Sequence, residues 1–385
     1  MVKTASSNII GCIMAFGVLF AACAHASSQE SEKSLEASSD VQETEVCFTV
    51  QNPGDSHDSR VSGTLFHTEH YTSTSTALFL LHGMVAERSV WNGGGPELPG
   101  LPPMATLLAK EGYGVFAIDR LGHGESPYDG SGFELTSDGA VERAHQMVEQ
   151  IRSGDFDVSA GGCNDREAST DLPGAENVVL MGASYGGILS SAYATRYDDI
   201  DGVVPMVVSN QGLSLRFREQ IDEFILPQAE QGEDYVNFFA TNEDGFSHDC
   251  EELMMYQGGT TPSHHERICG QEYYGNLEER TTPSGEFTSA AEMMEQTTED
   301  IGNVGPTPAL LVFADRDAMF TSAEWRGPGG DEPDVVTPEI EMWESSCNCD
   351  VSVVFQEDAG HAAWFHESAR DVVDDITDWL ASHGL

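Results

Sequence analysis

Short apolar segments recur along this chain and alternate with segments of helical periodicity. Apolar residues fill nearly every position of each short segment, whereas a strand with one solvated face would alternate apolar and polar residues. The pattern is therefore typical of strands in a parallel sheet that is covered on both faces. The predicted strands are Thr76–Gly83, Gly114–Gly122, Asn177–Ser184, Gly202–Ser209, Ala309–Asp317 and Val351–Asp358.

Helical segments lie between these strands and after the last one. Strands that alternate with helices predict an α/β fold, with a mostly parallel central sheet and helices on both faces. Two segments before the first parallel strand, "VCFTVQNPG" and "RVSGTLFHTE", predict an antiparallel hairpin. The predicted helices are Met104–Glu111, Thr136–Ile151, Gly187–Arg196 and residues 367–385.

Residues 213–303 interrupt this alternation. The segment holds no convincing strand of the main sheet, and it is acidic, lacks lysine and is rich in aromatic residues and methionine. We predict a mainly helical lid, inserted between a first core segment, 46–212, and a second, 304–385. Its aromatic side chains either cover a pocket or form only the small core of the insert itself.

Ser184 stands between Gly182 and Gly186, where an apolar segment ends and a helical segment begins. A G-x-S-x-G sequence at a strand-to-helix turn exposes the serine hydroxyl, and the glycines let strand and helix approach. A nucleophilic serine needs a base and a carboxylate that orients the base. In a parallel sheet all three would come from loops at the carboxyl ends of strands. Asp315 or Asp317 and then His361 follow two later predicted strands.

Four motifs together resemble the α/β-hydrolase superfamily, and the resemblance extends from about residue 46 to residue 385 apart from the insert. They are "LLHGM", "DRLGHGESP", "GASYGG" and "AGHAAWFHE". The resemblance implies a Ser184–Asp317–His361 triad and an oxyanion hole formed by the backbone N–H groups of Met84 and Tyr185. The G-x-x-D register of the family selects Asp317 over Asp315, although Ala314 stands where the glycine would be.

A serine at this turn points to acyl transfer through a tetrahedral oxyanion. We therefore expect a serine hydrolase that cleaves a carboxylic ester of a small neutral substrate, without a cofactor or a metal. An aminopeptidase or a lactonase would use the same triad. A ligand-binding protein that keeps the triad with little turnover is the alternative from another class.

The amino terminus has the pattern of a secretory signal, with Lys3 followed by an apolar stretch and then Ala24 and Ala26. We predict a signal peptide over residues 1–26, a disordered acidic and serine-rich linker over 27–45, and no transmembrane span in the mature chain. The protein would be exported, either secreted or periplasmic. Residues 20–23, "FAAC", also resemble a lipoprotein box, so Cys23 is a possible lipid anchor.

Outside the predicted signal the chain has six cysteines, and an even number in an exported protein favours disulfides. Cys250 and Cys269 are the natural local pair. Cys347 and Cys349 are separated by a single residue, so we expect them to reach two different partners. A zinc site is the weaker interpretation, because no Cys-x-x-Cys pair is present.

The chain carries 17 Lys and Arg against 65 Asp and Glu, a formal net charge of −48. Such a surface repels nucleic acids and anionic membranes, so we expect no nucleic-acid partner. Two origins fit this composition, a saline habitat or an ordinary acidic secreted protein.

Overall fold

The computed structural model describes residues 40–93, 103–158, 163, 172–237, 281–320 and 334–385. The predicted signal peptide, the predicted linker up to residue 39 and the predicted Cys250–Cys269 pair lie outside these ranges.

A large twisted sheet forms the centre of the described chain. Its strands are β1 Gln42–Gln51, β2 Asp58–His67, β3 Thr76–Leu81, β4 Gly114–Ile118, β5 Asp157–Val158, β6 Asn177–Ala183, β7 Gly202–Met206, β10 Ala309–Ala314 and β11 Val351–Gln356. Their order across the sheet is β11-β10-β7-β6-β3-β4-β2-β1-β5. All strands from β11 to β4 run parallel, and β2, β1 and β5 continue the sheet antiparallel. The structure thus confirms the predicted mostly parallel sheet and the antiparallel hairpin of β1 and β2.

The central strands are buried along their whole length, which explains their uninterrupted apolar sequences. All six residues of β3 and all six of β10 are buried. β11 differs, because it lies at the edge of the sheet and most of its residues are only half-buried, with Phe355 46% exposed. The expectation that this segment is a fully covered strand is therefore wrong.

Helices pack on both faces of the sheet. α2 begins after Thr136, whose hydroxyl accepts a hydrogen bond from the Gly139 N–H, and ends at Gly154 with φ 74°. α3 starts at Tyr185, directly after Ser184 and two residues before its predicted start. The helices are α1 Met104–Lys110, α2 Ser137–Ser153, α3 Tyr185–Arg196, α4 Leu215–Gln220, α5 Leu226–Glu230, α6 Ser284–Asp300, α7 Val336–Ser346 and α8 Ala369–His383.

The described parts of segment 213–303 lie outside the central sheet. A π-helical turn, Ile221–Ile225, joins α4 to α5, and two short strands, β8 Tyr235–Asn237 and β9 Thr281–Pro283, pair with each other. The long helix α6 then packs against α3 and α2. This helix brings residues of the insert directly onto the helix that follows Ser184.

Two disulfides lie in the described chain. Cys47 in β1 bonds to Cys163, and Cys347 bonds to Cys349, with Cα atoms 5.3 Å apart. The expectation that Cys347 and Cys349 reach different partners is wrong. The chain leaves α7 in an extended conformation at Cys347, so the two cysteines flanking Asn348 come within bonding distance.

The first strand also begins earlier than the predicted core. β1 starts at Gln42, and its first residues pair with β2 from His67 back to Thr64. Residues 42–45 of the predicted linker therefore belong to the sheet.

Candidate active site

Ser184 occupies a strained turn between β6 and α3. Its φ and ψ angles are 56° and −122°, a conformation that L-residues rarely adopt. The turn leaves no room for a side chain at Gly182 or Gly186. A Cβ on Gly186 would lie 2.1 Å from the Leu81 carbonyl oxygen, and one on Gly182 would lie 2.0 Å from the Gly186 oxygen. The glycines of the predicted turn are therefore required by close backbone approach.

His361 lies in the loop between β11 and α8 and faces Ser184. Its Nε2 is 2.8 Å from the Ser184 Oγ, and its Nδ1 is 3.0 Å from Oδ2 of Asp317 and 3.2 Å from Oδ1. A carboxylate only accepts hydrogen bonds, so Nδ1 carries the proton and Nε2 accepts from the serine hydroxyl. The structure thus brings together the three residues that the sequence singles out.

Asp317, rather than Asp315, is the carboxylate beside the histidine. Asp317 is buried in the turn after β10, where its Oδ1 also accepts the N–H groups of Met319 and Phe320 at 2.9 and 3.1 Å. The Asp315 carboxylate instead contacts the loop before His361, where its Oδ1 accepts the Ala359 N–H at 3.2 Å. The Asp317 carboxylate is therefore oriented by the backbone as well as by the imidazole.

Two other residues of the recognised motifs support the loops. Nε2 of His366 accepts the Gly360 N–H at 3.1 Å, beside His361. Asp119 accepts the N–H groups of Arg88 and Glu125 at 2.7 and 2.9 Å and forms an ion pair with the Arg88 guanidinium. Asp119 therefore holds its own turn.

Met84 and Tyr185, the expected donors of the oxyanion hole, line the same cavity as Ser184 and His361. Tyr185 is the first residue of α3, and the N–H groups of a helix's first turn have no acceptor within the helix. The loop that carries Met84 passes close to the serine, since a Cβ on Gly83 would lie 3.1 Å from the Ser184 Cβ. Both backbone segments are thus at the serine.

A buried ionic cluster, defined here as Arg120, His123, Arg143 and Glu286, lies behind these segments. Glu286 forms an ion pair with Arg120, lies 3.2 Å from His123 Nε2 and 3.6 Å from an Arg143 nitrogen. Burial raises the pKa of Glu286, but the positive charge of Arg120 and the hydrogen bond of His123 outweigh it and lower the pKa to about 2. Burial and Arg120 lower the pKa of His123 to about 4, so this imidazole is neutral.

No sequence pattern predicts this cluster. Arg120 and His123 stand inside "DRLGHGESP", which marks them as part of a turn but does not show their partner. Glu286 comes from α6 and is one of many acidic residues in the insert, with nothing in its sequence context to distinguish it.

The cavity at Ser184 has a volume of about 680 Å³. Its described wall is mostly apolar, and the charged residues Arg218, Asp222, Glu295 and Glu299 also line it. The apolar lining includes Val85, Ile188, Leu213, Phe217, Phe287, Met294, Met319 and Phe320. Several of these side chains come from segment 213–303, so the insert contributes to the wall.

Two negative findings concern the described ranges alone. No cluster of three or more His, Cys, Asp or Glu side chains there is arranged to hold a metal ion. Among the helices described, not one combines the length and apolar character needed to cross a membrane.

Comparisons with known proteins agree with the fold. Among the solved structures that resemble the chain is a bacterial membrane phospholipase A described as a virulence factor, with 17% identity and a TM-score of 0.52 over 89% of this chain and 86% of that one. Others are DcsB in complex with a substrate analogue (15% identity, TM-score 0.56, 89% of this chain and 100% of that one) and the monoacylglycerol lipase of Paleococcus ferrophilus (18% identity, TM-score 0.51, 89% and 99%). At these identities the likeness shows the fold. No curated protein sequence matches this one. The model of the alpha/beta hydrolase family matches residues 78–375, which span most of the sheet and all of the site, and the chain therefore belongs to that family.

Proposed function

We propose that this protein is a serine hydrolase that cleaves a carboxylic ester of a small neutral substrate through an acyl-enzyme. The observation that carries the proposal is the 2.8 Å contact between Ser184 Oγ and His361 Nε2, with Asp317 on the other imidazole nitrogen. Nucleophile, base and orienting carboxylate in this arrangement support acyl transfer.

In the proposed reaction His361 Nε2 takes the proton of Ser184 as Oγ attacks the ester carbonyl carbon. The carbonyl π electrons move to oxygen, and the N–H groups of Met84 and Tyr185 donate hydrogen bonds to the resulting oxyanion. The intermediate collapses, the bond to the alcohol oxygen breaks, and His361 protonates that leaving oxygen. Water then attacks the acyl-enzyme with His361 again as the base, which releases the acid and restores the serine.

The cavity supports the proposed substrate class. A mostly apolar wall suits an acyl or alcohol chain, and methionine and aromatic side chains adapt to its shape. We propose that segment 213–303 acts as the lid of this pocket, because its described parts supply Phe217, Phe287 and Met294 to the wall. The carboxylates of Asp222, Glu295 and Glu299 would also suit a free amine, which makes an aminopeptidase the second candidate.

A substrate panel tests the proposal. Purified protein would be assayed on p-nitrophenyl esters of increasing chain length, on lactones and on aminoacyl p-nitroanilides, with Ser184→Ala as the control. We expect ester cleavage that the control lacks. Cleavage of the anilides alone would favour the aminopeptidase, and no turnover of any substrate would favour the ligand-binding alternative.

We also propose that the protein is exported. The Cys47–Cys163 and Cys347–Cys349 disulfides are compatible with an oxidising compartment. The intact mass of the exported protein should match a chain that begins at Ser27 or one that begins at a lipidated Cys23. Thiol titration of the denatured, unreduced protein should find few or no free thiols, and six free thiols would contradict export.

A further inference from the structure

Arg120 contacts the peptide unit that would donate to the oxyanion. One guanidinium nitrogen donates to the Gly83 carbonyl oxygen at 3.1 Å. The Gly83 carbonyl and the Met84 N–H belong to the same planar peptide, so fixing the direction of the carbonyl also fixes the direction of the N–H. The guanidinium lies on the side of this peptide opposite to its N–H.

His82 holds the same oxygen from a second direction. Nε2 of His82 accepts the backbone N–H of Arg120 at 3.0 Å, so this nitrogen carries no proton. The proton is then on Nδ1, which donates to the Gly83 oxygen at 2.8 Å. The carbonyl thus receives two buried donors, one from the Arg120 guanidinium and one from His82, whose tautomer is set by the Arg120 backbone N–H.

The same guanidinium also packs on the other expected donor residue. Its central carbon lies 4.7 Å from the centre of the Tyr185 ring. The Tyr185 hydroxyl is 2.8 Å from the Ser137 Oγ, which donates to the Glu286 carbonyl oxygen at 3.2 Å. The Arg120 side chain therefore touches Gly83, Tyr185 and Glu286 together.

The ionic cluster has a net positive charge on the carbonyl side of the Gly83–Met84 peptide. Arg120 and Arg143 are cations, Glu286 is an anion, and the buried His123 is neutral. A positive group in a water-free position stabilises negative charge that develops on the far side of a peptide dipole, and it needs no reorganisation during the reaction. Glu286 fixes the position of Arg120 and reduces the cost of burying two guanidinium groups.

We propose that Arg120 is a positioning residue for the oxyanion hole and that Glu286, from helix α6 of the insert, is its anchor. This inference rests on the proposed function. The insert would then have two roles, since one helix, α6, carries both the anchor Glu286 and the pocket-lining residues Phe287 and Met294.

The test compares a tetrahedral analogue with its ground-state counterpart in the full chain. An alkyl trifluoromethyl ketone forms a hemiketal oxyanion on the serine, whereas the matched methyl ketone only occupies the pocket. Inhibition by both would be measured for wild type, Arg120→Lys and Glu286→Gln, with kcat and KM for p-nitrophenyl butyrate. Arg120→Lys keeps the charge, but one ammonium cannot span Gly83 and Glu286 as the guanidinium does.

The matched control is Arg152→Lys. Arg152 also combines an ion pair, to Asp201, with hydrogen bonds to backbone carbonyls, of Asp199 and Glu176, and it touches no residue of the site. Its substitution should leave both inhibition constants and kcat at the wild-type values. Melting temperatures of all variants identify any that fail to fold, and Arg120→Lys decides the question if Glu286→Gln is unfolded.

We expect kcat and the affinity for the trifluoromethyl ketone to fall together by about 10- to 100-fold in both variants. This effect is smaller than the fall in kcat of about 10²- to 10³-fold that follows removal of an oxyanion-hole donor, because the N–H group itself remains. KM and the affinity for the methyl ketone should stay near wild type. Folded variants with unchanged trifluoromethyl ketone affinity would overturn the inference while leaving the hydrolase intact. Wild type that neither cleaves the ester nor binds this ketone would instead contradict the proposed function.

Discussion

The carboxylate of Asp317 is held by three neighbours: the His361 imidazole and the N–H groups of Met319 and Phe320. The backbone donors orient the carboxylate before any substrate binds. It can then keep the imidazole in the tautomer that accepts the serine proton and can stabilise the imidazolium that forms. The proposed triad is therefore preorganised by groups that the chain supplies locally.

Asp317→Asn should lower kcat by about 10⁴-fold, because an amide can present its N–H₂ to Nδ1 and favour the wrong tautomer. Asp315→Asn is the comparison, since an asparagine oxygen can still accept the Ala359 N–H. We expect its loss to be within a few fold. Steady-state kinetics of both variants on one ester decide the assignment, and a severe loss in Asp315→Asn with a mild one in Asp317→Asn would reverse it.

Residues with a local signature are the ones that the sequence could predict. Ser184, Asp317 and His361 each follow an apolar strand and stand in a short motif, and the structure brings them together. The Arg120–Glu286 pair joins residues 166 positions apart, and Glu286 has no motif around it. Such a pair depends on how α6 docks on α2 and α3, which no local pattern encodes.

At the scale of elements, the junction of β6 and α3 requires the backbone to pack closely at Gly182 and Gly186, where no side chain fits. Gly186→Ala should destabilise the fold by about 3 kcal/mol, because its Cβ would meet the Leu81 carbonyl oxygen at 2.1 Å and neither backbone can move freely. Gly305→Ala is the matched control, since nothing lies within 4 Å of its added Cβ, and it should change stability by less than about 0.5 kcal/mol. Equal unfolding midpoints in urea for the two variants would contradict the tight turn.

The ionic cluster should make stability depend on pH. His123 has a pKa of about 4 in the fold against 6.5 when unpacked, so the folded state disfavours its protonation. The contribution of neutral His123 to the free energy of unfolding is fully present above pH 6.5, and it is lost as the pH falls from 6.5 towards 4. Glu286, with its pKa lowered from 4.5 to about 2, contributes above pH 4.5 and loses that contribution on further acidification.

His123→Gln removes the first of these titrations, while its amide can still donate to Glu286. Urea unfolding of both proteins between pH 7.5 and pH 4.5 should show a smaller acid-induced loss of stability in the variant. The other histidines titrate in both proteins, so the difference between the two stability curves reports on His123. Parallel stability curves for wild type and variant across this range would show that His123 is not buried in neutral form.

The elements show where sequence patterns succeed and where they fail. Continuous apolar segments predict the central strands well because both faces of those strands are covered. The same pattern overstates the burial of β11, since the order of strands, and thus which strand is at the edge, is not written in any one segment. The Cys347–Cys349 bond likewise depends on the extended backbone that follows α7.

At the scale of the whole molecule, a formal charge of −48 should influence which substrates reach the cavity. Among the described residues, Asp222, Glu295 and Glu299 line the cavity against one cation, Arg218. We expect kcat/KM for a neutral p-nitrophenyl ester to exceed that for its carboxylate-bearing analogue by about tenfold or more at low salt. Molar salt should narrow the difference by screening. Equal kcat/KM values for the two esters at low salt would show that the charge does not discriminate between neutral and anionic substrates.

The central claim is that Ser184 is an activated nucleophile, and covalent labelling tests it most directly. A fluorophosphonate probe reacts with a serine only when a base and an oxyanion hole activate it. Intact mass and peptide mapping of the labelled protein should show one adduct, on Ser184, and no adduct in Ser184→Ala. Labelling that persists in Ser184→Ala, or a wild-type protein that stays unlabelled, would contradict the account.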